Sequence, residues 1–436
     1  MVANACKVQF MGVDVGTLAY TDDSPYATFE YERSWLAEGF SIAPLYMPLT
    51  AAVYQFPALS PNTFRGLPAA FADSLPDDFG NALINSWLAR QGLDKSQFSA
   101  IDRLLYTGTR GMGALEYQTA INPFNNQANN LQLSELVTLA QQVLNARNDL
   151  DVTAYNSGAM THLLQVGTSA GGARPKAVIA INRARTHIVS GQVDAPDGFE
   201  HYLLKFDGVV EHHADRETFG DPKGYGLMEY AYYQMARNCG IDMAPSEILT
   251  ENGRSHFMTK RFDRENNQKY HMLTLCAMAH ADYKQPGYFS YEELLTVARQ
   301  LNLTIPEQKQ IYRRMVFNVI ARNHDDHTKN TAFFVDDDFN WRLAPGYDIA
   351  YSYKPGSPWV NSHQMSINGK RDHFTRHDLL QVATLITRFS EQQANAVIDE
   401  VINSVKRWPE LAEEVGVFSS LRDEVSLNLR HSNLPR

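Results

Sequence analysis

The sequence predicts an α+β fold, on two observations. Aromatic and β-branched runs bounded by turn residues fill much of the first 270 residues, and helical apolar spacing dominates beyond 271. The chain has 436 residues. At roughly 150 residues per domain this suggests two or three domains, enough to bury a large core without staples. Hydrophobic residues are 44% and charged residues 20%, which excludes collagen, coiled coil and wholesale disorder. Asp and Glu (49) outnumber Lys and Arg (39), giving a net charge of −10. The chain therefore has no global electrostatic attraction to DNA, RNA or anionic lipid, and only a local basic patch would bind them. Cys6, Cys239 and Cys276 are too few and scattered for a disulfide framework or a thiolate zinc site, and fit a reducing cytoplasm. MVANACKVQFMGVDVG lacks the basic start and apolar run of a signal peptide. No apolar stretch reaches the ~18 residues that read as a membrane span, and no internal repeat is visible.

Residues 1–60 read as short strands: KVQFMGVDVGTLAY and YATFEYE, separated by the turn Thr21–Pro25. Residues 61–120 read as mostly helical. In Asp78–Arg90, Phe79, Leu83, Ile84 and Trp87 share one face. Gly108–Gly113 is glycine-rich but leads to no helix N-terminus, so it reads as a loop and not a phosphate cradle. INPFNNQANN, residues 121–130, holds five asparagines and a proline and reads as a linker. SELVTLAQQVLNARN restores helical periodicity. From 165 to 263 the expectation is strands around one helix. VGTSAGGARPKAVIAIN is a glycine-rich turn entering an alternating strand, and HYLLKF is a second strand. GLMEYAYYQMARNCGI is a helix ended by Gly240, and HFMTKRFDR is a strand leaving the unit. Beyond 271 the chain reads as helical, interrupted by one hairpin at 331–345.

The chemistry concentrates in IYRRMVFNVIARNHDDHTKNTAFFVDDDFNWRLAPGYDIAYS. Ile311, Met315, Phe317, Val319 and Ile320 give an apolar helix face that stops at the polar loop Asn323–Asn330. A hairpin follows, with Asp336–Asn340 as its turn, and then Gly346-Tyr347-Asp348. Phosphoryl transfer from ATP needs a carboxylate to orient or deprotonate the acceptor hydroxyl. It also needs an amide oxygen and a second carboxylate to hold magnesium against the triphosphate. Protein kinases place the first two as Asp-x-x-x-x-Asn on one loop and the third after a hairpin. Asp325 and Asn330 have that interval, and Asp348 lies 18 residues beyond Asn330. Two other readings stand beside this one: a polar loop capping a helix end, and a metal site built from His324, Asp325, Asp326 and His327.

The phosphate grip is expected upstream. Gly167-Thr168-Ser169-Ala170-Gly171-Gly172 is small and flexible enough for backbone N–H groups to approach phosphate oxygens. Lys205 interrupts an apolar strand, where it would set one charge against the α/β-phosphates; a solvated strand face is the plainer reading. Glu229 sits where a kinase's lysine-orienting glutamate lies, and equally where a carboxylate favours a helix N-terminus.

With these residues in view, the chain resembles the HipA family of serine/threonine kinases, toxins of type II toxin–antitoxin pairs. The resemblance rests on Thr168–Lys176, Lys260-Arg-Phe-Asp-Arg264, and Asp325–Asn330 with Tyr347-Asp-Ile349; Phe71–Asp77 extends it into the N-terminal part. It implies Asp325 as catalytic base, and Asn330 and Asp348 as magnesium ligands. Lys205 would contact the ATP phosphates and the Lys260–Phe262 strand would border adenine. Ser169 would be the autophosphorylated serine. It also implies a helix-turn-helix antitoxin that binds DNA, so that this chain meets DNA only indirectly, and an aminoacyl-tRNA synthetase as protein substrate. Two positions depart from the family pattern: Arg174 stands where Gln is frequent, and Asp326, commonly Gly, adds a carboxylate that would bind magnesium or sit in solvent.

The expected architecture is therefore a protein-kinase-like, two-lobed α+β fold in a cytoplasmic protein that uses ATP and Mg2+ and has no membrane partner. It comprises a β-rich N-terminal accessory domain at 1–125, a nucleotide-binding lobe at 126–270 and a helical catalytic lobe at 271–436. The alternatives are a small-molecule kinase and a non-catalytic scaffold that co-represses with an antitoxin. The second is disfavoured because Lys205, Asp325, Asn330 and Asp348 are all present.

Overall fold

A computed structural model describes residues 3–21, 24–119, 130–145, 166–167, 174–210, 220–431 and 434. The chain forms two compact units: Met1–Gly226 with Glu247–Met272, and Leu227–Ser246 with Leu273–Arg436. The expected segments 1–125 and 126–270 both fall mainly in the first.

In the first unit, strands β1 (Ala5–Phe10), β2 (Val13–Tyr20), β3 (Ala27–Tyr31), β4 (Val53–Tyr54) and β5 (Leu115–Gln118) make an antiparallel sheet in the order β4-β3-β2-β1-β5. Met11 and Gly12 join β1 to β2 with φ of 49° and 79°. Positive φ at both central residues gives the turn twist that matches paired strands. The expectation of a mostly helical 61–120 holds, with helices at Pro61–Phe64, Ala69–Ala72, Asp78–Arg90 and Ala100–Thr107, and β5 is the strand it did not include. Its four residues carry little local pattern, and what fixes them is distant pairing, Phe10 with Leu115 and Lys7 with Gln118.

Helix α1 (Asp78–Arg90) forms where its periodicity placed it, with Asp77 capping the Gly80 N–H at 2.6 Å. Its Phe79, Leu83, Ile84 and Leu88 pack with Leu133, Leu136, Val137 and Ala140 of α2 (Leu133–Asn145) in one core. That core also takes one face of a second antiparallel sheet: β6 (Lys176–Asn182), β7 (Ile188–Ser190), β8 (Phe199–Lys205), β9 (Ser246–Glu251) and β10 (Arg254–Lys260), ordered β9-β10-β8-β6-β7. Residues Lys176–Ile181 of β6 are all buried, not alternately. Ala177, Ile179 and Ile181 face the helices, and Ala180 packs with Val189 and Ala195 in a smaller cluster. A strand covered on both faces loses its alternation.

The second unit holds most of α3 (Tyr225–Asn238), with α4 (Tyr291–Gln300) and α5 (Ile305–Ile320). Gly240, at φ 79°, ends α3: its N–H bonds the Arg237 carbonyl and the Ile241 N–H the Ala236 carbonyl. Capping boxes start the other two, Ser290 with Glu293 and Thr304 with Glu307. α5 is the unit's central helix. The Tyr232 hydroxyl donates to the Ala321 carbonyl at 2.7 Å, and the Tyr232 ring meets those of Phe317 and Trp408 edge-on. The hairpin β11 (Ala332–Val335) and β12 (Trp341–Leu343) follows, as expected from 331–345.

Candidate active site

α5 delivers the candidate catalytic loop. The helix stops as Arg322 turns to φ 57° and the Asn323 N–H reaches back to the Asn318 carbonyl. Residues 322–324 then pair with Ser352: His324 N–H to the Ser352 carbonyl, and Ser352 N–H to the Arg322 carbonyl, each 3.1 Å. Further on, the Thr328 hydroxyl donates to the Ala281 carbonyl at 2.7 Å. The Asn330 Nδ2 donates to the Asp325 carbonyl at 2.7 Å, closing the loop on itself. The Asp325 carboxylate stays 41% exposed, with His327 Nε2 at 3.7 Å.

Asp326 does the opposite. It is 2% exposed, and Oδ2 accepts from the Tyr291 hydroxyl and from His363 Nδ1, each at 2.8 Å, while Oδ1 accepts from the Gln364 N–H at 2.7 Å. The expectation of a magnesium ligand or a solvated charge is thus corrected: three donors hold this carboxylate inside. Burial first, and the Asp326 charge second, push the Tyr291 hydroxyl pKa well above its ordinary value, keeping it a donor. The four-residue metal site is dismantled with it. His324 is buried, its ring centroid 4.2 Å from that of His363 with the planes tilted by 39°, and burial pushes its pKa far down. Among the described residues no three His, Cys, Asp or Glu side chains converge as a metal cluster.

The hairpin returns the chain to the same place. Buried Arg314, on α5, donates to the carbonyls of Ala344 (2.8 Å) and Asp242 (3.3 Å). The Gly346 N–H also bonds Asp242, and the Ala244 N–H bonds Gly346. The Tyr347 hydroxyl donates to the Lys329 carbonyl at 2.7 Å, tying the segment to the catalytic loop. Asp348 follows at φ 54°, a left-handed conformation uncommon outside glycine but tolerated by Asp. Asn330 and Asp348 line one cavity, together with Arg314, Asn318, Asn323 and Asp326. Burial lowers the Arg314 pKa to about 10, which leaves it charged. With the Asn330 Nδ2 committed to Asp325, its Oδ1 is the atom left for a cation. An amide oxygen and a carboxylate are the hard donors that suit Mg2+.

The remaining expected residues lie elsewhere. Lys205 ends β8, buried, opposite Lys176 and Phe257 in the sheet, with its Nζ 5.9 Å from the Phe257 ring. Glu229 is buried on α3, in the second unit. Gly167 is buried; Thr168, Ser169, Ala170, Gly171 and Gly172 lie outside the described residues. Lys260 pairs with Glu200 at 2.6 Å. The expected strand through Phe262 ends at Lys260: the Arg261 N–H still bonds the His201 carbonyl across to β8, and the chain turns at Phe262 and Asp263.

That turn forms a clamp the sequence reading missed. Asp263 is fully buried and accepts from Arg261 (Nε 2.9 Å, Nη2 2.7 Å), Arg264 (Nη1 2.9 Å) and the Gly113 N–H (2.7 Å). Arg264 also donates to the carbonyls of Gly113 (2.8 Å) and Gly111 (2.9 Å). The glycine-rich stretch 108–113 is thus a loop held by this turn, and Arg-Phe-Asp-Arg was the available signal: a carboxylate between two guanidinium groups.

Comparison with known proteins gives three findings. The HipA-like C-terminal domain family matches residues 168–408, and the HipA N-terminal domain family matches residues 6–118. A Haemophilus influenzae protein described as "Putative kinase" is 25% identical over 155 residues, 32% of this chain and 44% of that protein, so the match spans less than half of that relative. A solved structure of the Shewanella oneidensis MR-1 toxin–antitoxin system, HipA with HipB and operator DNA, superposes with a TM-score of 0.67 at 15% identity. It covers 97% of this chain and 94% of that one, so the two share a kinase-like α+β fold.

Proposed function

The chain belongs to the HipA family, and on that premise we propose that it is an ATP- and Mg2+-dependent serine/threonine protein kinase, the toxin of a toxin–antitoxin pair. The observation that carries this reading is the joining of Asn330 to Asp325 on one loop while Asn330 and Asp348 border one cavity. Asp325, the exposed carboxylate, takes the proton of the acceptor hydroxyl. Asn330 and Asp348 hold the cation, which when bound neutralises charge on the phosphates. Lys205 reaches the α/β-phosphates, Lys260 and Phe262 border the adenine, and Glu229 orients the lysine. Residues 167–172 cover the phosphates, with Ser169 the autophosphorylation site. The partner is a helix-turn-helix antitoxin, supported by the HipB and operator DNA in the Shewanella complex. An aminoacyl-tRNA synthetase is the proposed protein substrate.

Incubation with Mg-ATP followed by peptide mass spectrometry tests the reading. Wild type gains phosphate on Ser169. Asp325→Asn, with size kept and the base removed, folds normally and transfers phosphate about 10²–10⁴-fold more slowly. Transfer at the wild-type rate by Asp325→Asn refutes the base assignment, and no transfer by wild type to itself or to a synthetase favours the scaffold.

A further inference from the structure

Neighbouring carboxylates of the candidate catalytic loop have opposite fates. Asp325 is 41% exposed; Asp326 is enclosed and its oxygens accept three hydrogen bonds. The donors come from two separate elements. Tyr291 opens α4, and His363 and Gln364 lie in the irregular segment before Phe374. A third joins through Tyr291: Asn318 of α5 donates to the Tyr291 hydroxyl at 3.0 Å, and Asn323 Nδ2 donates to Asn318 Oδ1 at 2.9 Å. The chain of bonds therefore leaves α5, passes through α4 and returns to the loop that follows α5. Each oxygen of Asp326 is used, and a buried ionised acceptor makes hydrogen bonds about twice as strong as neutral ones.

We propose that Asp326 is a positioning residue: its inward anchorage by Tyr291, His363 and Gln364 fixes the backbone of the catalytic loop so that Asp325 faces outward and Asn330 can close on it. The functional part rests on Asp325 being the base; the anchorage itself does not. In this role Asp326 acts through Asp325 and Asn330, not as a ligand of the cation. Its charge serves to organise donors that would otherwise be buried without partners, which is costly. The Asn330 bond goes to the backbone carbonyl of Asp325, adjacent to the anchored residue, so loosening Asp326 disturbs the base and the candidate metal-binding amide together.

The test is Asp326→Asn, which keeps the shape and removes the charge. Asparagine can keep its oxygen on the Gln364 N–H, but its NH2 group then faces the Tyr291 hydroxyl and His363 Nδ1, which donate to the carboxylate and must reverse roles. Backbone hydrogen exchange by mass spectrometry is expected to rise at least about tenfold in peptides covering 323–330 and 363–365. Phosphoryl transfer should fall about 10–10²-fold in kcat with KM for ATP unchanged, and a rise in the half-saturating Mg2+ concentration should come only together with the raised exchange of 323–330. Tyr291→Phe removes one donor and leaves the carboxylate, so it gives a smaller change in the same peptides and serves if Asp326→Asn does not fold. The double variant should match Asp326→Asn alone, because both act through one hub. A raised Mg2+ requirement with unaltered exchange makes Asp326 a ligand and overturns the proposal. So does wild-type exchange in both single variants. Asp325→Asn read in parallel separates the two ideas. If it keeps full activity while Asp326→Asn still loosens the loop, the base assignment falls and the anchorage stands.

Discussion

Asp263→Asn removes the charge at the centre of the clamp while keeping its volume. Burial alone would raise the Asp263 pKa, but the charges of Arg261 and Arg264 prevail, and the Gly113 N–H adds to them, so the carboxyl is held far below the ordinary carboxylate range. The two guanidinium groups are almost as enclosed, with side chains 1% and 5% exposed. Burial, followed by repulsion from Arg261, lowers the Arg264 pKa to about 9. Breaking a buried ion pair by removing one partner costs about 3–5 kcal/mol, chiefly because the remaining charge is stranded. Asparagine keeps one acceptor oxygen, which points to the lower end, about 3 kcal/mol. At roughly 2–4 °C per kcal/mol for a unit of this size, thermal unfolding should shift down by about 6–12 °C at pH 7. Circular dichroism melts and urea titrations measure it. A carboxyl with a depressed folded pKa stabilises above its unfolded pKa of about 3.9, and that contribution fades as the pH falls below it. The gap between wild type and variant should therefore narrow in acid. A melt within about 2 °C of wild type at pH 7 refutes the clamp as a stabilising device, as does a gap that widens on acidification.

Two further outcomes are expected. The pKa values of buried His256 and His271 are both lowered to about 4, mainly by burial, and the Asp207 N–H donates to His256 Nδ1, so each must stay neutral in the fold. Because the unfolded chain binds those protons near pH 6.5, stability should fall as pH drops from about 6.5 towards 4; His256→Gln should flatten a melting-temperature profile over that window. At the candidate metal site, Asp348→Asn should raise the Mg2+ concentration for half-maximal transfer by at least about tenfold, and EDTA should weaken ATP binding measured by calorimetry. Stoichiometric zinc by elemental analysis contradicts that assignment.

The parts of this fold that were legible in the sequence are those with strong local pattern. Asp78–Arg90, the helix ended by Gly240 and the hairpin after Asn330 all carry their periodicity and punctuation within about 20 residues. Strand β5 does not, since Leu115–Gln118 is a strand only because Lys7–Phe10 lies beside it. The same distinction runs through the candidate site. The spacing of Asp325, Asn330 and Asp348 lies on one stretch of chain. The partners of Asp326 lie 35, 37 and 38 residues away, and Gly113 lies 150 residues from Asp263. Nothing local distinguishes a carboxylate that will be buried by remote donors from one that will meet water, so Asp326 read as an extra carboxylate for magnesium or solvent and Arg261–Arg264 as part of a strand.

The division of the chain into compact units has a practical consequence for dissecting it. The second unit is discontinuous, because α3 and the residues up to Ser246 belong with the chain beyond Leu273. A fragment begun at 273 would lack Tyr232, whose ring covers Phe317 and Trp408 and whose hydroxyl bonds Ala321. It would lack Met235, whose carbonyl accepts from the Ser404 hydroxyl at 2.6 Å. It would also lack Asp242 and Ala244, which bracket Gly346 just ahead of Asp348. The helical half therefore cannot be cloned as a tail that begins at 273. An expression boundary drawn at 272 bares an aromatic surface and unpins one of the two candidate cation ligands, whereas a fragment that begins before Tyr225 retains both.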